Sequence, residues 1–145
     1  MFLEKDQASI NIKKKQILII NPQQFGYGAG YFYYVKYLRK FFKIDYLTFD
    51  KKWKKVEMEN VNIVYRNYNT NKMLRLLDFI YTAIKMTHQL NYDIVFSIDF
   101  NLVFLIGLLC RGRLKIYDIR TGALLENLIK RFFFNSIKLF NSFFF

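Results

Sequence analysis

Three glycines in five residues, Gly26, Gly28 and Gly30, interrupt the chain soon after a short apolar run, Ile17 to Ile20, that Pro22 closes. Glycine adopts backbone angles closed to other residues and lets a main chain come close to a ligand or a facing surface. A helix starting near Tyr31 aims its amide end at such a loop, where an anion is stabilised. The same glycines also suit a tight strand-to-helix turn, and both uses stand open. Further on, Lys115-Ile-Tyr-Asp-Ile-Arg-Thr-Gly brings Asp118, Arg120 and Thr121 together. A carboxylate there can accept hydrogen bonds from ligand hydroxyls or orient Arg120, whose guanidinium can hold phosphate through two parallel bonds. Alternatively the Asp–Arg pair shapes a turn. Asp99 ends Tyr92-Asp-Ile-Val-Phe-Ser-Ile-Asp and is followed by Asn101. It can bind a ligand hydroxyl, or cap the next helix, as aspartate does well; the cap is preferred. Glu126 reads as a solvated helix residue rather than a base.

Other chemistries are poorly served. His88 is the single histidine and falls late in a long helix, where a structural role is expected. Cys110 is the single cysteine, so the chain can form no internal disulfide and no cysteine-based metal cluster; after Leu108 and Leu109 it reads as a buried thiol. No metal site and no cofactor is expected. Lys51, Lys52, Trp53, Lys54 and Lys55 form a basic loop around one aromatic ring. Clustered lysines attract anionic lipid and tryptophan suits the bilayer interface, although a solvated loop explains the same composition. No nucleic-acid motif accompanies these residues, and nucleic acid is not expected as a partner.

The elements that must position these groups follow from hydrophobic periodicity. Strands are expected at about 16–21, 44–49, 61–65, 92–99 and 114–119. Helices are expected at about 31–42, with Tyr34, Leu38 and Phe41 or Phe42 on one side, and from Asn69-Thr-Asn-Lys to about Leu90, with Met73, Leu76, Leu77, Ile80, Ile84 and Thr87 inward. A short apolar helix at about 102–110 and a last helix from about Gly122 complete the set. Apolar strands alternating with crossover helices predict an α/β fold: one domain with an open, mostly parallel, Rossmann-like sheet, order 3-2-1-4-5, helices on both faces. Such sheets bind ligands at the carboxyl ends of their strands. Residues 1–15 are expected to be a flexible or strand-like leader.

The chain has 145 residues, 53% of them hydrophobic, which is one domain with material for a core. Its formal charge of +12 favours phosphate-bearing or anionic partners, and AT-rich coding explains part of it. The start, Met1-Phe-Leu-Glu-Lys-Asp, lacks signal-peptide character. The expected compartment is the cytoplasm, with peripheral contact at the inner face of the cell membrane. The terminal helix carries Arg131-Phe-Phe-Phe and Phe143-Phe-Phe, an apolar load that marks a contact surface. Either it docks on a membrane or the chain is a fragment whose next strand and domain are missing; the second is preferred.

The glycine loop, the 92–99 strand and the Lys115–Gly122 segment occur in an order and spacing that resembles the N-terminal domain of retaining glycosyltransferases of the two-Rossmann-domain (GT-B) architecture, the family-4 sugar transferases especially. The resemblance covers roughly residues 15–145. It implies the acceptor-side half of an enzyme moving a sugar from a nucleotide-sugar to a glycan or lipid-linked acceptor, inactive without a C-terminal donor domain. The implied substrate cleft consists of Gly26, Gly28, Gly30, Asp99, Asp118, Arg120 and Thr121. Where many members carry a histidine after the fifth strand, this chain has Asp118. A dinucleotide site is the rival: Gly26-x-Gly28 and Asp50 fit its spacing, but Tyr31 replaces the third glycine. A non-catalytic nucleotide- or membrane-surface-binding domain is the alternative outside enzymes.

Overall fold

The structure, a computed structural model, describes residues 14–68, 71–98, 100, 102–118 and 128–145, with helical backbone alone for 128–134. Its elements are β1 (Lys15–Ile20), α1 (Ala29–Leu38), β2 (Phe42–Asp50), β3 (Val61–Asn67), α2 (Lys72–Gln89), β4 (Ile94–Ile98), α3 (Phe104–Leu109), β5 (Leu114–Asp118) and α4 (Leu128–Ser142). The five strands form one sheet in the order β3-β2-β1-β4-β5, and every pairing is parallel. β1 is central, paired with β2 through Ile17 to Ile44 and with β4 through Ile17 to Ile94.

Period-two alternation explains why an unbroken apolar run serves as the central strand. Ile17 and Ile19 face one side with Ile44, Tyr46 and Val35 of α1. Leu18 and Ile20 face the other with Leu47, Val95 and the α2 and α3 residues Phe79, Ile80 and Ile106. Both sides of β1 are thus covered, as a parallel sheet requires. The link from β2 to β3 contains no helix. Residues 51–60 instead run as irregular chain over the α1 side, where Val56 and Met58 pack.

The expected faces of two helices need correction. α1 begins earlier and ends at Leu38; Phe42 opens β2 and Phe41 is 68% exposed, so the inward stripe is Tyr31, Phe32, Val35 and Leu38 rather than Tyr34, Leu38 and Phe41. In α2 the buried stripe is Phe79, Ile80, Ala83 and Thr87, with Leu76 and Ile84 beside it. Met73 and Leu77 are 60% and 47% exposed. Met73 lies a turn before this stripe starts, and Leu77 is rotated roughly 90° from its centre at 100° per residue. The N-cap of α2 is Asn71, whose side-chain oxygen accepts from the Met73 and Leu74 amides at 3.0 and 3.2 Å.

Candidate functional site at the carboxyl rim

Because all strands run one way, the carboxyl ends of β1, β2, β4 and β5 lie along a single edge of the sheet. Chain direction across the sheet reverses at β1: the path goes from β1 outward to β2 and β3, then returns through α2 to β4 on the other side. The crevice between the carboxyl ends of β1 and β4 is where such folds hold ligands. There Ile20 pairs with Ser97, and one strand further out Ile98 pairs with Asp118.

The glycine loop is braced from beneath and beside. Asn21 donates from Nδ2 to the Tyr46 hydroxyl at 2.6 Å and accepts the Gln23 amide at 2.9 Å. Thr48 Oγ1 donates to the Gln23 carbonyl at 2.6 Å. Burial holds the Tyr46 phenol well above its ordinary range, so it stays protonated. Gln24, itself buried, spans to the next loop: its Oε1 accepts the Lys51 amide at 2.8 Å and its Nε2 donates to the Trp53 carbonyl at 3.0 Å. The Tyr27 ring lies tilted against Trp53, with ring centroids 4.7 Å apart, and its hydroxyl donates to the Lys54 carbonyl. The glycine loop and the Lys51–Lys55 loop are therefore one braced unit.

Two glycines have packing reasons. Gly26 has φ +92°, and a Cβ there would sit 2.6 Å from Val56 Cγ2. At Gly28, the N-cap of α1, a Cβ would meet the Tyr31 ring and the Gln23 amide at 2.8 and 3.2 Å. Gly30 lies in the first turn of α1. The cap makes no side-chain hydrogen bond and the first turn holds no acidic residue. Tyr31, at the third-glycine position of the dinucleotide fingerprint, packs into the α1-side core. Asp50, its acid, is engaged elsewhere: it accepts the Lys52 amide at 2.9 Å and pairs with Lys55 at 3.1 Å. Those contacts, the Lys52 amide first, hold its carboxyl below the usual range.

Of the remaining expected site residues, Asp118 closes β5 on this rim, half-buried. Asp99, Asn101, Arg120, Thr121, Gly122 and Glu126 lie outside the described residues. Two features sit next to them. Ser97 Oγ is completely buried and, among the described residues, has no hydrogen-bond partner. Leu102 takes a left-handed backbone, φ +65°, strained for a leucine. Lysines of the basic loop are partly committed: Lys51 lies 5.1 Å over Trp53, and Lys55 lies 4.9 Å over Tyr65 besides its Asp50 pair. His88 approaches the Leu109 carbonyl at 3.4 Å, at the far end of α2. Cys110 is buried, which pushes its thiol up to about 11. Among the described residues no cluster of histidine, cysteine and acidic groups is able to hold a metal ion, and no helix is long and apolar enough to cross a membrane.

Sequence reasoning missed Gln24, Tyr27 and the whole opposite edge. At the amino ends of the strands, buried Asp45 accepts from Gln16 Nε2, Asn62 Nδ2 and the Tyr92 hydroxyl at 2.9, 2.9 and 2.7 Å. Above it opens a depression of about 1240 Å³ ringed by Lys14, Lys15, Lys43 and Arg113. A charged residue in the middle of the apolar run Phe42–Phe49 was the available signal for Asp45. Its partners come from three other parts of the chain and no local pattern joins them.

No protein-family model, curated protein or solved structure matches the chain. The likeness to two-Rossmann-domain glycosyltransferases thus rests on the residues quoted above.

Proposed function

We propose that this chain is the acceptor-side half of a glycosyltransferase moving a sugar from a nucleotide-sugar donor to a glycan or lipid-linked acceptor. The observation that carries the reading is the convergence of the glycine loop, the end of β4 and the end of β5 on one rim, at the reversal point of a 3-2-1-4-5 parallel sheet. In this reading Asp118 accepts hydrogen bonds from sugar hydroxyls, Arg120 and Thr121 contact phosphate or sugar, and Asp99 binds an acceptor hydroxyl. The uncapped start of α1 faces the same crevice with its amide dipoles. A second lobe, on another segment or another chain, binds most of the donor and closes over the rim. The leaving diphosphate is stabilised there by basic side chains and a helix N-terminus, as the resemblance implies.

The loss of Asp50 to its own loop and the packed Tyr31 weigh against the dinucleotide alternative. Hydrogen exchange of the 145-residue chain with a panel of glycans and a polyprenyl phosphate tests the proposal. Protection is expected over residues 21–30 and 114–118, and Asp118→Ala is expected to weaken binding about tenfold, the loss of a charge-assisted hydrogen bond. Protection confined to the amino edge, or none with any probe, rejects it. The chain alone is expected to show no sugar-nucleotide turnover; robust transfer would contradict the half-enzyme reading.

A further inference from the structure

α1 is apolar almost all round, yet only one of its ten residues is buried. Its sequence, AGYFYYVKYL, has a single charged residue, Lys36, and Val35 is the residue it buries completely. A helix with apolar residues on every side belongs inside a protein or against an apolar medium. Here Tyr33 and Tyr37 are 52% and 59% exposed, and Phe41, just past the helix, is 68% exposed. Lysines lie over these rings: Lys36 is 5.8 Å from the centre of Tyr33 and Lys40 is 5.9 Å from that of Tyr37. Tyr27 and Trp53 extend the surface at the other end of the helix, both exposed and in ring contact with one another. Segment 51–60 and α1 cover the same side of the sheet, since Val56 and Met58, like Phe32 and Leu38, pack against the cluster around Ile17, Ile19 and Tyr46.

We infer that the outer face of α1, continued by Tyr27 and Trp53, is a docking surface for an anionic lipid bilayer. Charge decides for this occupant. Residues 28–60 hold eight lysines and arginines against four acids, and one of those acids, Asp45, is buried. Asp50 is paired with Lys55, and Glu59 lies 3.8 Å from Arg39. A second copy of the chain would bring the same positive excess to the contact and be repelled. An anionic bilayer attracts the lysines while phenol and indole rings settle at the headgroup level, apolar body inward and polar tip in water. The face is long enough for a shallow interfacial contact: ten helical residues span about 15 Å. The inference does not depend on sugar transfer, and a failure of either reading leaves the other intact.

Trp53 is the single tryptophan, so its fluorescence reports docking directly. The 145-residue chain is mixed with vesicles of phosphatidylcholine alone and of phosphatidylcholine with phosphatidylglycerol, at low and high salt. The expected result is co-sedimentation with the anionic vesicles, a blue shift of Trp53, and release by salt. Tyr37→Ser with Phe41→Ser, and separately Lys36→Glu with Lys40→Glu, are expected to weaken partitioning about tenfold or more, from lost interfacial contact and lost attraction to the charged surface. All four side chains are on the surface, and an unchanged thermal melt shows that the variants fold. Equal partitioning of parent and variants, or no anionic-vesicle binding, overturns the inference. So does binding of a mixed-sequence oligonucleotide through the same lysines without vesicle binding, or concentration-dependent dimerisation that the aromatic variants abolish.

Discussion

Asp45 shows how one residue can tie three strands and a loop together. A buried carboxyl is costly unless its lone pairs are filled, and here Gln16 of β1, Asn62 of β3 and Tyr92 before β4 all donate to it. Burial, and then the bond to Asp45, push the Tyr92 phenol well above its ordinary range, which keeps it a donor. Asp45→Ala strands three donors at once and is expected to cost about 3–5 kcal/mol. Tyr92→Phe removes a single donor and leaves Asp45 with two, so about 1–2 kcal/mol is expected. Urea midpoints at constant m-value measure both. Equal, small losses for the two variants would show that the network contributes packing and no more.

At the scale of elements, the β1–α1 loop and the 51–60 segment are fitted to one another, and Gly26 is where they meet. Gly26→Ala meets two penalties: a backbone at φ +92° and a Cβ 2.6 Å from Val56 Cγ2. Together they are expected to cost about 2–4 kcal/mol. In a Val56→Ala background the closest contact, to Cγ2, is removed, while the Cβ of residue 56 stays 2.9 Å away and the backbone part stays, so the two substitutions are expected to couple by at least about 0.5 kcal/mol. Strict additivity in denaturation midpoints would mean that the loops give way without cost. This fit was invisible in sequence, because Gly26 and Val56 are joined only by folding. What was legible were the strands: Ile17 to Ile20 alternates its side chains between two cores, and short apolar runs at Ile44, Val61, Ile94 and Leu114 repeat the pattern. The α1–β2 boundary was not, since Phe41-Phe42-Lys43-Ile44 suits a helix face and a strand equally well. Site residues were legible only as positions on a rim. The loops' own packing and hydrogen bonding decide whether Gly26, Gly28 and Asp50 are free for a ligand, and all three have local uses.

Across the whole molecule, burial raises titrating groups in the same direction in both cores. Cys110 and Tyr92 belong to the α2–α3 side and Tyr46 to the α1 side; all three are held protonated by the fold. The unfolded chain gives up these protons at lower pH than the folded one, so it binds fewer protons as pH rises and folding weakens. The contribution is complete below the ordinary thiol value of 9.0 and is lost as pH climbs to and past about 11. A two-unit shift at the buried thiol alone corresponds to about 3 kcal/mol. Working against it, the net positive charge of a +12 chain falls as pH rises, which relieves its self-repulsion. Those charges sit in water and are screened within about 8 Å at physiological salt, so the buried groups dominate. Urea midpoints are therefore expected to be flat from pH 7 to 9 and to fall steeply by pH 11. Cys110→Ala should start lower at neutral pH from lost packing but decline less between 9 and 11, with the two tyrosines supplying the remaining slope. Parallel curves for parent and variant would remove the thiol from the account. A midpoint rising with pH would show surface repulsion to be the stronger force.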